Sequence, residues 1–130
     1  WVSAYDPNSK LLLAYVFSTD EHPWLNIWHQ TDSTGNPVAK GLEFGTTGIG
    51  RPYQDLLKLD TRFHGQSSFT FLDAGETVTK SYYLLLTKID KPVQNIGDII
   101  PGRKNSNIRI LDQDKKILKD ISFSFKTCNQ

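Results

Sequence analysis

Apolar and polar positions alternate along much of this chain with the period of two that is typical of β-strands. In residues 24–29 (WLNIWH) the two tryptophans and the asparagine fall on one face, and the other three side chains fall on the opposite face. Residues 31–37 (TDSTGNP) are rich in turn formers, and residues 39–44 have the pattern of a returning strand. The sequence therefore predicts a β-hairpin over residues 24–44.

Further strands are predicted in most of the remaining chain. They fall at residues 10–18, 55–60, 67–72, 77–89, 107–111 and 120–126, with a tight turn at 73–76 (DAGE). No segment of ten or more residues has a convincing helical period, so helix is expected at most in a turn around residues 52–57. The predicted fold class is all-β, arranged as an antiparallel β-sandwich.

A change of composition near residues 91–107, which are rich in proline, glycine, asparagine and charge, indicates how the chain is organised. Residues 1–90 are predicted to form the main β-sandwich region, and residues 91–130 a C-terminal β-hairpin extension of the same domain. At 130 residues the chain is long enough for one domain with a real core.

Charge and composition argue against several classes of partner. The 15 basic and 14 acidic residues are spread along the chain and give a net charge of +1, so no nucleic-acid partner is expected. The longest apolar run, residues 11–17, is far shorter than the ~20 residues that span a bilayer, so no membrane partner is expected. No signal peptide is visible. Cys128 is the single cysteine, so no internal disulfide can form. The cysteine content therefore does not indicate the cellular compartment.

Metal, hydrolytic and phosphate sites find no support in the spacing of residues. The three histidines, His22, His29 and His64, have no paired spacing, and no cysteine cluster accompanies them. No serine lies in a G-x-S-x-G turn, and the glycines of residues 45–50 are not followed by a predicted helix. No metal and no cofactor are therefore expected.

The aromatic residues say more about function. Trp24 and Trp28 share a strand face with Asn26, and Arg51 and Tyr53 follow in and after the glycine-rich loop. A sugar-binding cleft needs flat rings, on which pyranose C–H groups stack, beside amide and charged groups that bind hydroxyls. These five residues are the candidate carbohydrate-binding residues. The alternative is that the tryptophans belong to the core, which is the commoner place for such side chains.

Glu43 is the candidate catalytic residue. It lies in mid-strand between Leu42 and Phe44, where glutamate is disfavoured. The small residues 45–48 (GTTG) would leave space above its carboxylate. The alternative is an ordinary solvated side chain on the outer face of a half-buried sheet.

Three short motifs follow one another along the chain: PWLNIW (23–28), GLEFGTTG (41–48) and AGETVTKSYYLLL (74–86). In order and spacing they resemble the C-terminal part of galactose mutarotase-like proteins, the aldose 1-epimerase superfamily. The resemblance covers roughly residues 10–90. It implies that this chain is part of a supersandwich fold that binds a carbohydrate.

The resemblance also implies that Glu43 is the catalytic base, which takes the proton from the anomeric hydroxyl while an acid protonates the ring oxygen. In that family the acid is normally a histidine from strands far upstream, so neither His22 nor His29 is assigned this role. The chain also lacks methionine, and we expect it to be a fragment of a longer protein. Aldose epimerisation, an isomerase activity, would then require the missing N-terminal half.

Two alternatives remain beside this interpretation. One is a non-catalytic sugar-binding module with the same fold, and the other is a structural or protein-interaction domain whose tryptophans are core. Exposed tryptophan faces beside Glu43 would favour sugar binding. Residues 11–17 are apolar on both strand faces, so an isolated half of a sandwich is expected to form a homo-oligomer.

Overall fold

The computed structural model describes residues 1–48, 50–102 and 106–123 of the chain. In these residues the regular structure consists of strands with one short helix, so the predicted all-β class is confirmed. The elements, in chain order, are β1 Val2–Asp6, β2 Leu11–Phe17, β3 Trp24–Thr31, β4 Pro37–Gly45, α1 Tyr53–Lys58, β5 Tyr82–Lys88, β6 Ile96–Pro101, β7 Asn107–Asp112 and β8 Ile117–Ser122.

The described strands form three sheets. Their strand orders are β1-β2-β5, β3-β4 and β6-β7-β8. The pairs β1–β2, β3–β4, β6–β7 and β7–β8 are antiparallel. The packing of these sheets into a sandwich stays a prediction.

The chain divides into two compact units. Unit 1 comprises residues 1–16 and 84–130, and unit 2 comprises residues 17–83. The division predicted from composition, between 1–90 and 91–130, stays a prediction. All the buried hydrophobic side chains among the described residues lie in unit 1: Leu12, Ala14, Leu85, Ile89, Ile99, Ile108, Ile110, Leu111 and Leu118.

Strand alternation explains which side chains form the core of unit 1. In β2, Leu12 and Ala14 are fully buried, whereas Leu11 on the other face is 37% exposed. The same alternation occurs in β5, where Leu85 is buried between the exposed Leu84 and Leu86. β2 is apolar on both faces, as the sequence pattern indicated, but only Leu12 and Ala14 on one face are buried, and Val16 on that face is half-buried.

Two of the predicted strands are wrong. Residues 55–60 belong partly to α1, which begins after Pro52, the acceptor of the Asp55 and Leu56 amide groups at 2.9 and 3.2 Å. Asp55 in the first turn and Lys58 in the last turn complement the helix dipole. Residues 67–72 form no strand, and the long strand predicted over 77–89 is limited to Tyr82–Lys88.

Other strands were found only in the structure or only in part. β1 and β6 were not predicted, because β1 is only five residues long and β6 contains Gly97 and ends at Pro101. The strand predicted at 107–111 is confirmed as β7. The last predicted strand, 120–126, overlaps the end of β8, and its residues 124–126 lie outside the described residues.

Candidate functional site

The β3–β4 hairpin carries most of the candidate residues. Its antiparallel register pairs Trp24 with Gly45, Asn26 with Glu43, and Trp28 with Gly41. Residues that pair directly across an antiparallel ladder point to the same side of the sheet. The hairpin predicted from residues 24–44 is therefore confirmed, and Glu43 shares one face with Asn26 and both tryptophans. We call this surface the indole face.

Trp28 and Glu43 lie on either side of the space above Gly41 on the indole face. A Cβ atom placed on Gly41 would lie 3.7 Å from Trp28 Cε3 and 3.7 Å from Glu43 Oε1. The indole of Trp28 is 49% exposed. Because Gly41 has no side chain, the space between ring and carboxylate is open, and the result is a flat aromatic surface bordered by a negative group.

Trp24 has a different role from Trp28. Its Nε1 donates a hydrogen bond of 2.7 Å to the Ser67 carbonyl oxygen, and the side chain is partly buried. Its indole lies directly on the backbone of Gly48, so closely that any Cβ there would overlap the ring. Phe63 packs beside it with a centroid distance of 6.2 Å. Trp24 therefore holds loop residues in place rather than presenting its face to a ligand.

Glu43 is an accessible carboxylate. Its side chain is exposed, and the described residues supply neither a salt bridge nor a hydrogen bond to it. Asn26, directly across the ladder, is half-buried. The carboxylate can accept hydrogen bonds from hydroxyl groups of a bound molecule, and the amide of Asn26 can both donate to such groups and accept from them.

Arg51 and Tyr53 are not joined to this surface. Arg51 lines a cleft of about 380 Å³ with Leu59 and the residues Asp60 to Arg62, where Arg62 already pairs with Asp60 at 2.8 Å. Tyr53, at the start of α1, is 68% exposed. No described hydrogen bond or ion pair links either residue to Glu43, so the structure does not bring these two candidate carbohydrate-binding residues together with that carboxylate.

The three histidines lie away from the indole face or pack into the interior. His29 is exposed and pairs with Lys40 on the opposite face of the hairpin. His64 follows Phe63 in a turn and packs against its ring. His22 is only 8% exposed and is enclosed by aromatic rings.

An aromatic cluster encloses His22, and this cluster was not predicted from the sequence. The imidazole centroid lies 5.9 Å from Phe17, 5.1 Å from Phe44 and 6.3 Å from Tyr82, with the rings nearly perpendicular in each case. Phe17 and Phe44 are stacked at 4.4 Å. Among the described residues, neither His22 nitrogen has a hydrogen-bond partner. Periodicity gave no signal for this cluster, because its members come from separate segments.

Metal ligands and membrane-spanning helices were also sought in the structure. In the described ranges, no three histidine, cysteine or acidic side chains come together as metal ligands. The described part of the chain also contains no helix with the length and apolar character needed to cross a bilayer.

Comparisons with protein-family models, with curated proteins and with solved structures found no match for this chain.

Proposed function

We propose that this chain is a carbohydrate-binding domain related to the galactose mutarotase-like superfamily. The observation that carries the proposal is the exposed Trp28 indole, which lies over Gly41 with the Glu43 carboxylate at its border. Asn26 adds an amide directly across the ladder from Glu43. An open aromatic surface with adjacent acceptor and donor groups matches the chemistry of a sugar ring.

Each of these groups has a defined part in binding. The Trp28 ring would stack against the C–H face of a pyranose, which is apolar and flat enough to displace water from the indole. The Glu43 carboxylate would accept hydrogen bonds from hydroxyl groups, and such charge-assisted bonds are stronger than neutral ones. Asn26 would donate and accept at a neighbouring hydroxyl.

The proposal for this chain is binding without catalysis. As a general base, Glu43 would need an acid at the other side of the sugar ring. Neither the exposed His29, on the opposite face of the hairpin, nor the enclosed His22 supplies one beside Glu43. We propose anomer interconversion only for a complete protein in which another segment provides the acid.

A second candidate function is protein interaction. It is favoured by the opposite face of the hairpin, where Leu25 and Ile27 are 42% and 55% exposed. Apolar side chains that remain exposed next to one another are typical of interaction surfaces. The half-buried state of Trp24 also fits this function, but the exposed Trp28 beside Glu43 favours sugar binding.

The test is a binding titration of Trp28→Ala against simple aldoses and their short oligomers, followed by NMR chemical shifts. Loss of one stacked ring is expected to weaken binding by about tenfold, which corresponds to roughly 1.4 kcal/mol. Glu43→Gln should weaken binding less, because the amide still forms hydrogen bonds with a hydroxyl.

Trp1→Ala is the matched control for this titration. Trp1 is 44% exposed, lies in unit 1, and bonds Asp98 through its Nε1 at 3.0 Å. Removing it should leave sugar affinity unchanged. If Trp28→Ala and Trp1→Ala bind equally well, or if the wild-type protein binds no sugar at all, the protein-interaction function replaces the carbohydrate proposal.

A further inference from the structure

Strand β3 has one open edge. Among the described residues its sheet contains two strands, so within that part of the chain β3 pairs with β4 on one side only. No backbone–backbone hydrogen bond outside the ladders involves residues of β3 in the described chain. The side chains from Ile27 to Thr31 are all exposed. An unpaired strand edge presents N–H and C=O groups that pair readily with another strand.

The sequence of β3 contains none of the residue types that usually prevent an edge strand from pairing with another chain. Natural edge strands are usually guarded by charged residues, proline or bulges. The sequence of β3, WLNIWHQT, has no lysine, arginine, aspartate, glutamate or proline. β4, the other edge of the same sheet, contains Pro37, Lys40 and Glu43. The register shift of the ladder lies between Gln30 and Thr31, at the end of β3 and outside Trp24–Trp28. Of the two edges, β3 is therefore the one open to pairing.

The side chains of β3 are also complementary to those of a second copy of β3. In an antiparallel pair of two β3 strands with a twofold axis at Asn26, Trp24 stands opposite Trp28 of the second copy. Leu25 stands opposite Ile27, and Asn26 stands opposite itself. Aromatic and aliphatic pairs of this kind stabilise sheets, and two facing amides can bond each other. No like charges meet in this register, because the strand carries none.

We propose that β3 pairs with β3 of a second copy in this register, which would give a four-stranded sheet of order β4-β3-β3-β4. The apolar residues Leu25 and Ile27, exposed in one copy, would then form a continuous row across the new sheet. This proposal does not depend on carbohydrate binding, and it can fail or succeed independently of it.

The dimer is expected to be weak and concentration-dependent. In this register only the five residues from Trp24 to Trp28 face residues of the second β3, an edge of about 17 Å at ~3.3 Å per residue. Pairing along such an edge buries much less than the ~800 Å² per partner of a typical stable interface. Sedimentation equilibrium over a wide range of protein concentration, without sugar, is therefore the appropriate measurement.

The decisive variants place charges on the twofold axis. Asn26→Lys brings two ammonium groups together and Asn26→Asp brings two carboxylates together, so each variant alone is expected to be monomeric. An equimolar mixture of the two should dimerise again, because opposite charges then meet at the axis. Recovery in the mixture also shows that both variants are folded.

Two exposed apolar residues elsewhere serve as controls. Val38→Lys places a charge on β4, and Leu86→Lys places one on β5, where the native side chains are 62% and 69% exposed. Both variants should dimerise like the wild type. A wild-type protein that stays monomeric at every concentration, or a dimer that survives Asn26→Lys and is lost in either control, would overturn the proposal.

Discussion

His22 is the least satisfied side chain among the described residues. Its two ring nitrogens are buried without hydrogen-bond partners, and the rings of Phe17, Phe44 and Tyr82 surround it. A buried polar group without a partner costs roughly 1–3 kcal/mol, because it has lost water and gained nothing in return. Edge-to-face contacts with the neighbouring rings offset part of this cost.

We therefore expect His22→Phe to stabilise the protein. A phenyl ring keeps the shape and the ring contacts and removes the unpaired nitrogens, so the free energy of unfolding should rise by about 1 kcal/mol. Denaturant unfolding followed by tryptophan fluorescence measures the change. His29→Phe is the control, since that imidazole is already exposed. A loss of stability in His22→Phe would show that the imidazole has a partner.

The sequence predicted the candidate site only in part. The grouping of Asn26, Trp28 and Glu43 could be predicted, because alternation decides the face and the turn decides the register. The positions of Arg51 and Tyr53 could not, since they follow a loop whose path no periodicity determines. The division of roles between the two tryptophans depended on Ser67 and Gly48, which are distant in sequence from both.

Strands with clear alternation or flanking turns were predicted well. The β3–β4 hairpin and β7 lie close to their predicted bounds. The error at residues 55–60 has a physical reason: a short apolar run cannot be assigned to helix or strand by period alone. The sequence YQDLLK is helical instead, in the place where a helical turn was expected at most, and the Pro52 carbonyl oxygen accepts its first amide bonds.

The turn of the β3–β4 hairpin is organised by one carboxylate. Asp32 Oδ1 accepts hydrogen bonds from Thr34 Oγ1 at 2.7 Å, from Thr34 N at 2.8 Å and from Asn36 N at 3.0 Å. Gly35 completes the turn with a φ of +87°, which glycine adopts without strain. These hydrogen bonds lower the pKa of Asp32 from 3.8 to about 2, and the bond from the Thr34 side chain has the largest effect on it.

A lowered pKa in the folded state gives the turn a defined pH dependence. The stability that ionised Asp32 contributes is fully present above the unfolded value of 3.8, and it is lost as the pH falls towards about 2. In Asp32→Asn this part of the acid response should be missing. NMR shifts of the Thr34 and Asn36 amides between these pH values measure it.

Asp20→Asn is the control for this titration, because none of the described hydrogen bonds is accepted by the Asp20 carboxylate. The backbone amide of Asp20 donates to Ser18 Oγ, and the substitution leaves that bond in place. That variant should keep the acid response of the turn amides. An identical response in Asp32→Asn and the wild type would show that Asp32 does not organise the turn.

The two units differ in how they are stabilised. Unit 1 contains all nine buried hydrophobic side chains of the described chain. In the described residues of unit 2 the buried side chains are polar, His22 and Ser68, and packing is supplied by half-exposed aromatic rings. Burial of apolar area is the main source of stability, at about 25 cal/mol per Å². The hairpin with the candidate site therefore lies in the less stabilised unit.

This difference predicts uneven hydrogen exchange along the chain. β7 lies between β6 and β8 and buries Ile108, Ile110 and Leu111, so its amides should exchange the slowest. β3 and β4 have one open edge each, and their amides should exchange about a hundredfold faster or more.

Pairing of β3 with a second copy would slow exchange at its edge, so the measurement is made on Asn26→Lys and compared with the wild type at high concentration. In the wild type, protection should then rise in β3 and stay unchanged in β7. Equal protection of β3 and β7 in the monomeric variant would mean that the hairpin is held by more than its own ladder and the aromatic cluster. Faster exchange in β7 than in β3 would show that the apolar core of unit 1 is not the most stable part of the molecule.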